Sequence, residues 1–336
     1  MSGPLNLPVA MLAPLEWGYR LGAAWKHRRW DRGAGVERLA CPVISVGNLT
    51  AGGTGKTPMV EEVARRLLRF GSRPVIALRG YRADRDGKSD EAELHRAALP
   101  EVSVVVGGNR AAALRERGIP LRPPTVVVLD DGFQHRRLAR DLDLVLIDAS
   151  RPSLRDRLLP AGWLREPASA LRRADAVIVT RAAAADPELA AAIEDLHGNP
   201  PIAWVDESWS RLRVWTAEGM REDPPEWLAG RRVATLLGVG NPAAYRRRLL
   251  AHGCEEALAI PARDHQHYPP ARLAEIERVC LSRGIDLVAT TAKDWVKLGH
   301  AWPASLTAIV PQLELQFRAG EADFEARLRA AAGFRG

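Results

Sequence analysis

The chain has 336 residues, of which 46% are hydrophobic and 26% are charged, and this composition excludes a mainly disordered protein. Its length suffices for two domains with full hydrophobic cores, and its three widely separated cysteines indicate neither a zinc site nor a disulfide framework. The formal net charge of +7 favours an anionic partner, but the sequence has no nucleic-acid-binding motif, so we expect no nucleic acid among the partners.

The first 30 residues predict a helical segment that is apolar and aromatic and is followed by basic residues. The apolar run is too often interrupted for a helix that spans a membrane, since it contains Pro8, Pro14, Glu16 and Arg20. One interpretation is a helix lying on an anionic membrane surface, with aromatic rings at headgroup depth and arginines on lipid phosphates. The alternative is a helix packed on the adjacent domain.

A glycine-rich loop, residues 47–57, follows the first predicted strand and precedes an amphipathic helix. This order is typical of a phosphate-binding loop, in which backbone N–H groups and the helix start bind phosphate oxygens. Lys56 would reach the outer phosphates, and the Thr57 hydroxyl would bind Mg2+. The strict pattern has glycine where this chain has Thr50, but the later glycines can supply the flexible backbone. We predict that the loop binds a nucleotide through Thr50, Ala51, Gly52, Gly53, Thr54, Gly55, Lys56 and Thr57.

Strand-like segments alternate with helical ones, as in a parallel sheet that is covered by helices on both faces. A first set of strands is predicted at residues 43–46, 75–78, 102–106, 126–129, 144–147 and 176–179. Two short extended pieces, 202–205 and 212–215, predict a hairpin-like linker to a second set at 233–237, 257–260, 287–290 and 306–310. We therefore predict a P-loop NTPase-like α/β fold with three parts. These are a membrane-associating segment (1–30), a core domain (31–205) and a smaller α/β domain (206–336), which closes the cleft and whose final segment can return to the core.

Two carboxylates end the predicted strand 126–129. In proteins with a phosphate-binding loop, an acidic residue at such a strand end holds Mg2+. Because adjacent side chains alternate in direction, only one of Asp130 and Asp131 should face the metal, and the sequence leaves open which. A simple strand-ending turn is the alternative. The polar residues Gln134 and His135 follow at the same sheet edge, and we expect them to contact the substrate.

Further charged residues lie near other predicted strand ends or in rigid loops. Arg79 follows the strand 75–78 and could position phosphates. Asp90 precedes a helix, where it is either an N-cap or a catalytic carboxylate. Arg165 and Glu166 lie side by side in the proline-bounded loop 159–167, where the alternative to a functional role is a surface ion pair.

Residues 264–268 read Asp-His-Gln-His-Tyr. Two histidines two residues apart, with no cysteine or further histidine nearby, make a poor zinc site. A histidine beside a carboxylate is better suited to proton transfer, which makes His265 a candidate, with an ordinary polar loop as the alternative.

These segments, in this order, resemble the tetraacyldisaccharide 4'-kinase family along nearly the whole chain. The matching pieces are residues 45–50 with 53–58, 79–81, 130–135, 159–162 with 164–167, 240–242, 264–265 and 291–294. A phosphate-binding loop alone is widespread, whereas its combination with the pieces at 130–135 and 164–167 is far more specific.

The resemblance implies ATP-dependent transfer of the γ-phosphate to the 4'-hydroxyl of an acylated glucosamine disaccharide 1-phosphate in lipid A biosynthesis, which gives lipid IVA. It also implies a monotopic enzyme on the cytoplasmic face of a Gram-negative inner membrane. Asp90 and His265 are then expected to assist deprotonation of the acceptor hydroxyl. Arg165 and Arg79 are expected to neutralise charge on the transferring group, and Glu166 to complete the Mg2+ shell.

Two other functions stay open at this point. One is a kinase of a soluble small molecule, with the N-terminal segment merely packed on its domain. The other is a nucleotide-switched membrane adaptor. Against a GTPase-like adaptor, the Asn-Lys-x-Asp guanine-reading motif is missing, and residues 291–294 keep only its Lys-Asp pair.

Overall fold

A computed structural model of the chain describes residues 9–31, 33, 35–80, 89–239, 242–262 and 266–334. The chain divides into two units, one formed by the residues up to Glu207 together with those from Leu315 onward, and the other by Ser208–Glu314. The first boundary between the units falls within the strand Ala203–Thr216, and the second falls within the strand Thr307–Ala319. Each of these two long strands therefore contributes residues to both units.

Helices and strands alternate through most of the described chain. In chain order they are α1 (Val9–Asp31), β1 (Val43–Asn48), α2 (Lys56–Arg69), β2 (Arg73–Leu78), α3 (Asp90–Ala98), β3 (Ser103–Val106), α4 (Arg110–Glu116), β4 (Thr125–Asp130), β5 (Leu142–Asp148), β6 (Ala176–Thr180), α5 (Pro187–His197), β7 (Ala203–Thr216), β8 (Gly219–Asp223), β9 (Arg232–Leu236), α6 (Pro242–Ala251), β10 (Glu255–Ile260), α7 (Pro270–Leu281), β11 (Leu287–Thr290), α8 (Ala292–Leu298), β12 (Thr307–Ala319) and α9 (Glu321–Ala331).

The first unit is built on a parallel sheet with the strand order β3-β2-β4-β1-β5-β6-β7. This confirms the predicted α/β class with a mostly parallel sheet. β1 lies in the middle of the sheet, between β4 and β5, and its Val46 is paired with Asp130 of β4. The loop that follows β1 and the residues that follow β4 therefore emerge side by side at the carboxyl edge of the sheet.

The central strands are buried on both faces, which explains their nearly continuous apolar sequences. All residues of β1, β4, β5 and β6 are buried. Alternate residues point to opposite faces, so Ile44 and Val46 join one core cluster and Val43 joins another. Helix α2 packs on the Ile44 face through Met59, Val60, Val63, Ala64 and Leu67.

The C-terminal helix α9 lies against α2 in the first unit. Its Phe324 and Leu328 are buried in the same cluster as Ile44. The nearly buried guanidinium of Arg66 in α2 reaches Glu321 at 2.5 Å and Glu325 at 3.3 Å. These contacts fix the C-terminal helix to the helix that begins at the glycine-rich loop.

The second unit has its own parallel strands in the order β10-β9-β11-β12, together with an antiparallel hairpin of β7 and β8. The predicted pieces 202–205 and 212–215 are parts of one continuous strand, β7. Sequence reasoning divided it because the intervening residues 206–211 are mostly polar and half-buried or exposed. Similarly, β12 extends nine residues beyond the predicted end at 310, through residues that are largely exposed.

Candidate active site

The glycine-rich loop between β1 and α2 is held by side chains from the end of β6. The Thr180 hydroxyl donates to the Thr54 carbonyl at 2.9 Å, and Arg181 donates to the Gly53 carbonyl at 2.8 Å. Gly55 has φ of 80°, a left-handed conformation that favours glycine, and α2 begins directly after it. In the described part of the chain, the backbone N–H groups from Gly52 to Thr57 have no hydrogen-bond acceptor. The start of α2 therefore offers N–H donors to an anion.

Lys56, the first residue of α2, folds back over this loop. Its Nζ lies 3.2 Å from Oδ1 of Asn48 and 3.5 Å from the Gly52 carbonyl oxygen. The same nitrogen lies 3.6 Å from Oδ1 of Asp131. The ammonium group is thus placed between the loop and the carboxylate that follows β4.

Asp131 is surrounded by positive charge. Arg165 Nη1 donates to its Oδ2 at 2.6 Å, and Lys56 lies on its other oxygen. Burial alone would raise the pKa of this carboxyl, but the neighbouring Lys56 and Arg165 cations hold the pKa below its ordinary value. Its Oδ1 is buried and accepts no hydrogen bond from the described residues. The group is an ionised carboxylate whose Oδ1 faces the Lys56 ammonium group at 3.6 Å without a hydrogen bond.

The adjacent Asp130 has a different environment. Its Oδ2 lies 3.0 Å from Nε2 of His95 in α3, and Nδ1 of the same ring lies 3.5 Å from Oε1 of Glu61 in α2. Burial disfavours the charged imidazole, but the two carboxylates outweigh it and raise the pKa of His95 to about 9. The divergence follows from Asp131, whose φ of 52° turns the chain sharply after the strand. Of the two carboxylates, Asp131 faces Lys56 and Asp130 faces His95.

Gln134 and His135 also lie at this edge of the sheet. Gln134 Nε2 donates to the Asn48 carbonyl at 2.9 Å, and its Oε1 lies 3.4 Å from Arg165 Nη1. His135 Nδ1 lies 3.0 Å from Nη1 of Arg110, a buried arginine whose charge also acts on Asp131. Sequence reasoning missed Arg110, although its position at the start of a helix after the short strand β3 was a usable signal.

Arg165 and Glu166 are adjacent in sequence but point to different partners. Arg165 reaches Asp131, whereas Glu166 Oε2 forms an ion pair with Arg173 Nη2 at 2.7 Å. The Arg173 guanidinium in turn lies 4.4 Å from the centre of the Phe133 ring. The surface ion-pair interpretation fails for Glu166, because its side chain is almost fully buried. Its role as a metal ligand stays a prediction that these contacts do not favour.

Asp90 is the first residue of α3, and Arg79 is the exposed residue directly after β2. The N-cap of α3 is Ser89, whose hydroxyl accepts from the Ala92 N–H at 3.2 Å. The N-cap interpretation of Asp90 is therefore wrong, and its half-buried carboxylate is not used for capping. A catalytic role for Asp90 and a phosphate-binding role for Arg79 stay predictions.

His265 lies outside the described residues. Within the second unit, the nearby Tyr268 hydroxyl donates to Asp294 at 3.4 Å. The Asp294 carboxylate also accepts from the Gly238 N–H at 2.9 Å and from the Thr291 hydroxyl at 2.8 Å. Burial raises the pKa of Asp294 although these donors oppose it. Asp294 thus ties together residues that follow β9 and β11.

Helix α1 contacts the loop that carries Arg165. The Tyr19 hydroxyl donates to the Arg165 carbonyl at 2.9 Å, and Glu16 pairs with Arg157 at 2.6 Å. Leu12 is buried, but other apolar side chains of this helix are largely exposed, namely Met11, Leu15, Trp17 and Leu21. None of the helices in the described ranges is both long enough and apolar enough to cross a membrane.

The elements above define a class of protein. A buried central strand leads into a glycine-rich loop, a lysine begins the next helix, and a carboxylate follows the neighbouring parallel strand. Together they make the phosphate-binding site of an α/β nucleotide-binding protein. The chain belongs to the tetraacyldisaccharide-1-P 4'-kinase family, whose sequence model matches residues 8–332.

Individual relatives agree with this membership. The chain is 40% identical to a tetraacyldisaccharide 4'-kinase of Anaeromyxobacter dehalogenans (strain 2CP-C), over 90% of this chain and 85% of the relative. It is 38% identical to the enzyme of that name from Geobacter metallireducens, over 88% of this chain and 90% of the relative. The crystal structure of LpxK from Aquifex aeolicus in complex with ATP is similar, with a TM-score of 0.74 and 28% identity, covering 96% of this chain and 99% of the other. The predicted family is thereby confirmed.

Proposed function

We propose that this protein transfers the γ-phosphate of ATP to the 4'-hydroxyl of a tetraacyldisaccharide 1-phosphate. The observation that carries the proposal is the convergence of Lys56, Asp131 and Arg165 beside the N–H groups that begin α2. Family membership narrows the reaction to the one after which the family is named. The Aquifex aeolicus structure, which was solved with ATP, supports ATP as the phosphate donor.

The nucleotide phosphates would lie in the concave loop before α2. The N–H groups of Gly52–Thr57 are suited to β- and γ-phosphate oxygens because they lack acceptors in the described part of the chain and lie at a positive helix end. Lys56 would exchange its contacts with Asn48 and Gly52 for phosphate oxygens. Arg165 would neutralise charge on the transferring group, and the contacts of its guanidinium with Gln134 and Asp131 support this role.

The residues present also fit Mg2+. Asp131 supplies an ionised carboxylate with an oxygen that accepts no hydrogen bond from the described residues, and Thr57 supplies the hydroxyl that such loops provide. Mg2+ bound there would neutralise negative charge on the β- and γ-phosphates. Asp130 is less suited to this task because its carboxylate pairs with His95.

The acceptor hydroxyl needs a base. We infer that Asp90 serves this role together with His265, as the family resemblance implies. The support from this structure is that Ser89, and not Asp90, caps α3. A carboxylate within hydrogen-bond reach of the hydroxyl would accept its proton as the phosphoryl group transfers.

The reaction is tested with the purified full chain, labelled ATP, Mg2+ and tetraacyldisaccharide 1-phosphate in mixed micelles. We expect one new phosphate on the 4'-oxygen, located by mass spectrometry and NMR of the product. Lys56→Ala should abolish transfer, while Lys297→Ala in the second unit serves as a matched lysine control. Transfer to a water-soluble sugar but not to the lipid would favour a small-molecule kinase. ATP binding without transfer to any acceptor would favour the adaptor.

We further propose that α1 holds the enzyme on an anionic membrane surface, on the cytoplasmic face of the inner membrane. The exposed fractions of Leu15 (60%) and Trp17 (66%) support this, because exposed apolar side chains are stabilised when they leave water for the membrane interface. Replacing both by serine should lower binding to anionic vesicles without lowering thermal stability. Leu250→Ser, at a position 48% exposed in α6, is the control. Unchanged vesicle binding by the double variant would contradict this role of α1.

A further inference from the structure

His95 links three elements that surround the candidate active site. The residue belongs to α3, its Nε2 lies 3.0 Å from Asp130 at the end of β4, and its Nδ1 lies 3.5 Å from Glu61 in α2. Its side chain is completely buried. Both ring nitrogens face carboxylates, so the ring is used as a bridge between two acceptors.

His95 supplies the cation that Asp130 faces in this cluster, whereas Glu61 also pairs with Arg65 at 3.2 Å. Two carboxylates from different elements approach each other through the ring, and Asp130 is buried. A neutral, non-bonding side chain at position 95 would leave the buried Asp130 carboxylate without this partner. Unpaired buried charge is strongly unfavourable, so the surrounding elements would move apart or admit water.

Each partner of His95 is directly connected to a residue of the proposed reaction. Glu61 lies one helical turn after Thr57, so the two share a face of α2. Asp130 immediately precedes Asp131, which pairs with Lys56 and Arg165. Asp90 begins the helix that carries His95. The ring of His95 therefore connects α2, which follows the phosphate-binding loop, with β4, which ends at Asp130, and with α3, which begins at Asp90.

We propose that His95 is a positioning residue. Through its hydrogen bond to Asp130 and its ion pair with Glu61, it fixes α3, and hence Asp90, relative to the loop that binds ATP. This inference rests on the proposed kinase function. His95 itself is buried in α3 and acts through the groups that it contacts. Removing it should therefore slow phosphoryl transfer more than it weakens ATP binding, because the ring pairs with Asp130 and Glu61, whereas Lys56 is held by other groups.

The test compares the wild-type protein with His95→Leu, His95→Gln and the double variant His95→Leu/Asp130→Asn. His95→Leu should lower kcat roughly 10- to 100-fold with a much smaller change in KM for Mg·ATP, since small misplacement of reacting groups has effects of this size. His95→Gln, which keeps an N–H donor, should recover part of kcat. Asp130→Asn in the leucine background should raise Tm by removing the buried carboxylate that has lost its histidine partner, but should leave kcat low.

A matched control is His197, another buried histidine of this unit, whose ring nitrogens lie 3.0 Å from the carbonyl oxygens of Asn199 and Ala174. His197→Leu should lower Tm and leave kcat near the wild-type value. The proposal is overturned if folded His95→Leu keeps kcat within about twofold, or if kcat and Tm recover together in the double variant. If His95→Leu does not fold, the same twofold limit on kcat is applied to the double variant and to His95→Gln. If the wild-type protein transfers no phosphate to the lipid, the proposed function is overturned as well.

Discussion

The side chains of Asp131 and Arg165 meet at 2.6 Å, although the two residues lie in loops that are 34 positions apart. The contact brings the residue that follows β4 to the loop 159–167, and Lys56 completes the cluster on the other carboxylate oxygen at 3.6 Å. One carboxylate therefore fixes two cations beside the start of α2. The same carboxylate has its pKa held low by those cations, so it is ionised at neutral pH.

Asp131→Asn should reduce turnover far more than Asp130→Asn. The first change removes the charge that holds Lys56 and Arg165, and we expect kcat to fall about 100-fold or more, with a higher Mg2+ concentration needed for half activity. Asn at position 130 keeps an oxygen that accepts from His95, so its main effect should be on stability. Initial rates measured across a Mg2+ titration check this. Equal kinetic losses in the two variants would contradict the division of roles between them.

Asp90→Ala should lower kcat by about 10²-fold or more and leave ATP affinity unchanged, since removal of a general base has effects of this order. Calorimetry with Mg·ATP and steady-state rates give the two quantities. Ser89→Ala is the neighbouring control. It removes the cap of α3, which should cost about 1 kcal/mol of stability, and it leaves the Asp90 carboxylate in place. A loss of ATP affinity in Asp90→Ala equal to its loss of kcat would refute the proposed role.

Stability should depend on pH through His95. Its pKa is about 9 in the folded protein against an ordinary value of 6.5, because Asp130 from β4 and Glu61 from α2 face the ring. A raised pKa gives stability that is fully present below pH 6.5 and is lost as the pH rises through about 9. The difference corresponds to about 3 kcal/mol.

Denaturant unfolding of wild-type protein and His95→Gln at pH 7, 8, 9 and 10 measures this effect. The difference in unfolding free energy between them should shrink as the pH rises. Burial also raises the pKa values of three thiols, those of Cys41, Cys254 and Cys280. Because both proteins contain these cysteines, their contribution to the pH dependence of stability cancels in the comparison. A difference that stays constant over this range would show that the ring carries no charge in the folded state.

Gly55→Ala should destabilise the protein, because φ is 80° there and an added Cβ would lie 3.2 Å from Oε1 of Glu207. The left-handed conformation alone costs a non-glycine residue about 1–2 kcal/mol. Gly53→Ala is the control for stability, since its Cβ would meet only an Arg181 nitrogen at 4.0 Å. Thermal unfolding should show a lower Tm for the first variant only. Equal Tm values would mean that the loop adapts without strain.

The sequence by itself determined the features that short stretches encode. The phosphate-binding loop, the alternation of strands and helices and the two carboxylates at the end of β4 could all be predicted from the sequence. A glycine-rich turn between a strand and a helix, and an apolar run of four to six residues, carry their conformation locally. The combination of several such segments in one order also identified the family, as the comparisons confirm.

The tertiary structure decided which side chains meet. Asp130 and Asp131 are indistinguishable in sequence, but the left-handed turn at Asp131 directs one to His95 and the other to Lys56. The partners of His95 are 34 and 35 positions away in opposite directions along the chain, and a lone histidine in a helix gives no sign of them. Glu166 likewise pairs with Arg173, and its side chain is buried. Its charge and its place in the loop 159–167 did not indicate this burial. Such pairs depend on strand order and backbone direction, which arise only when distant segments pack together.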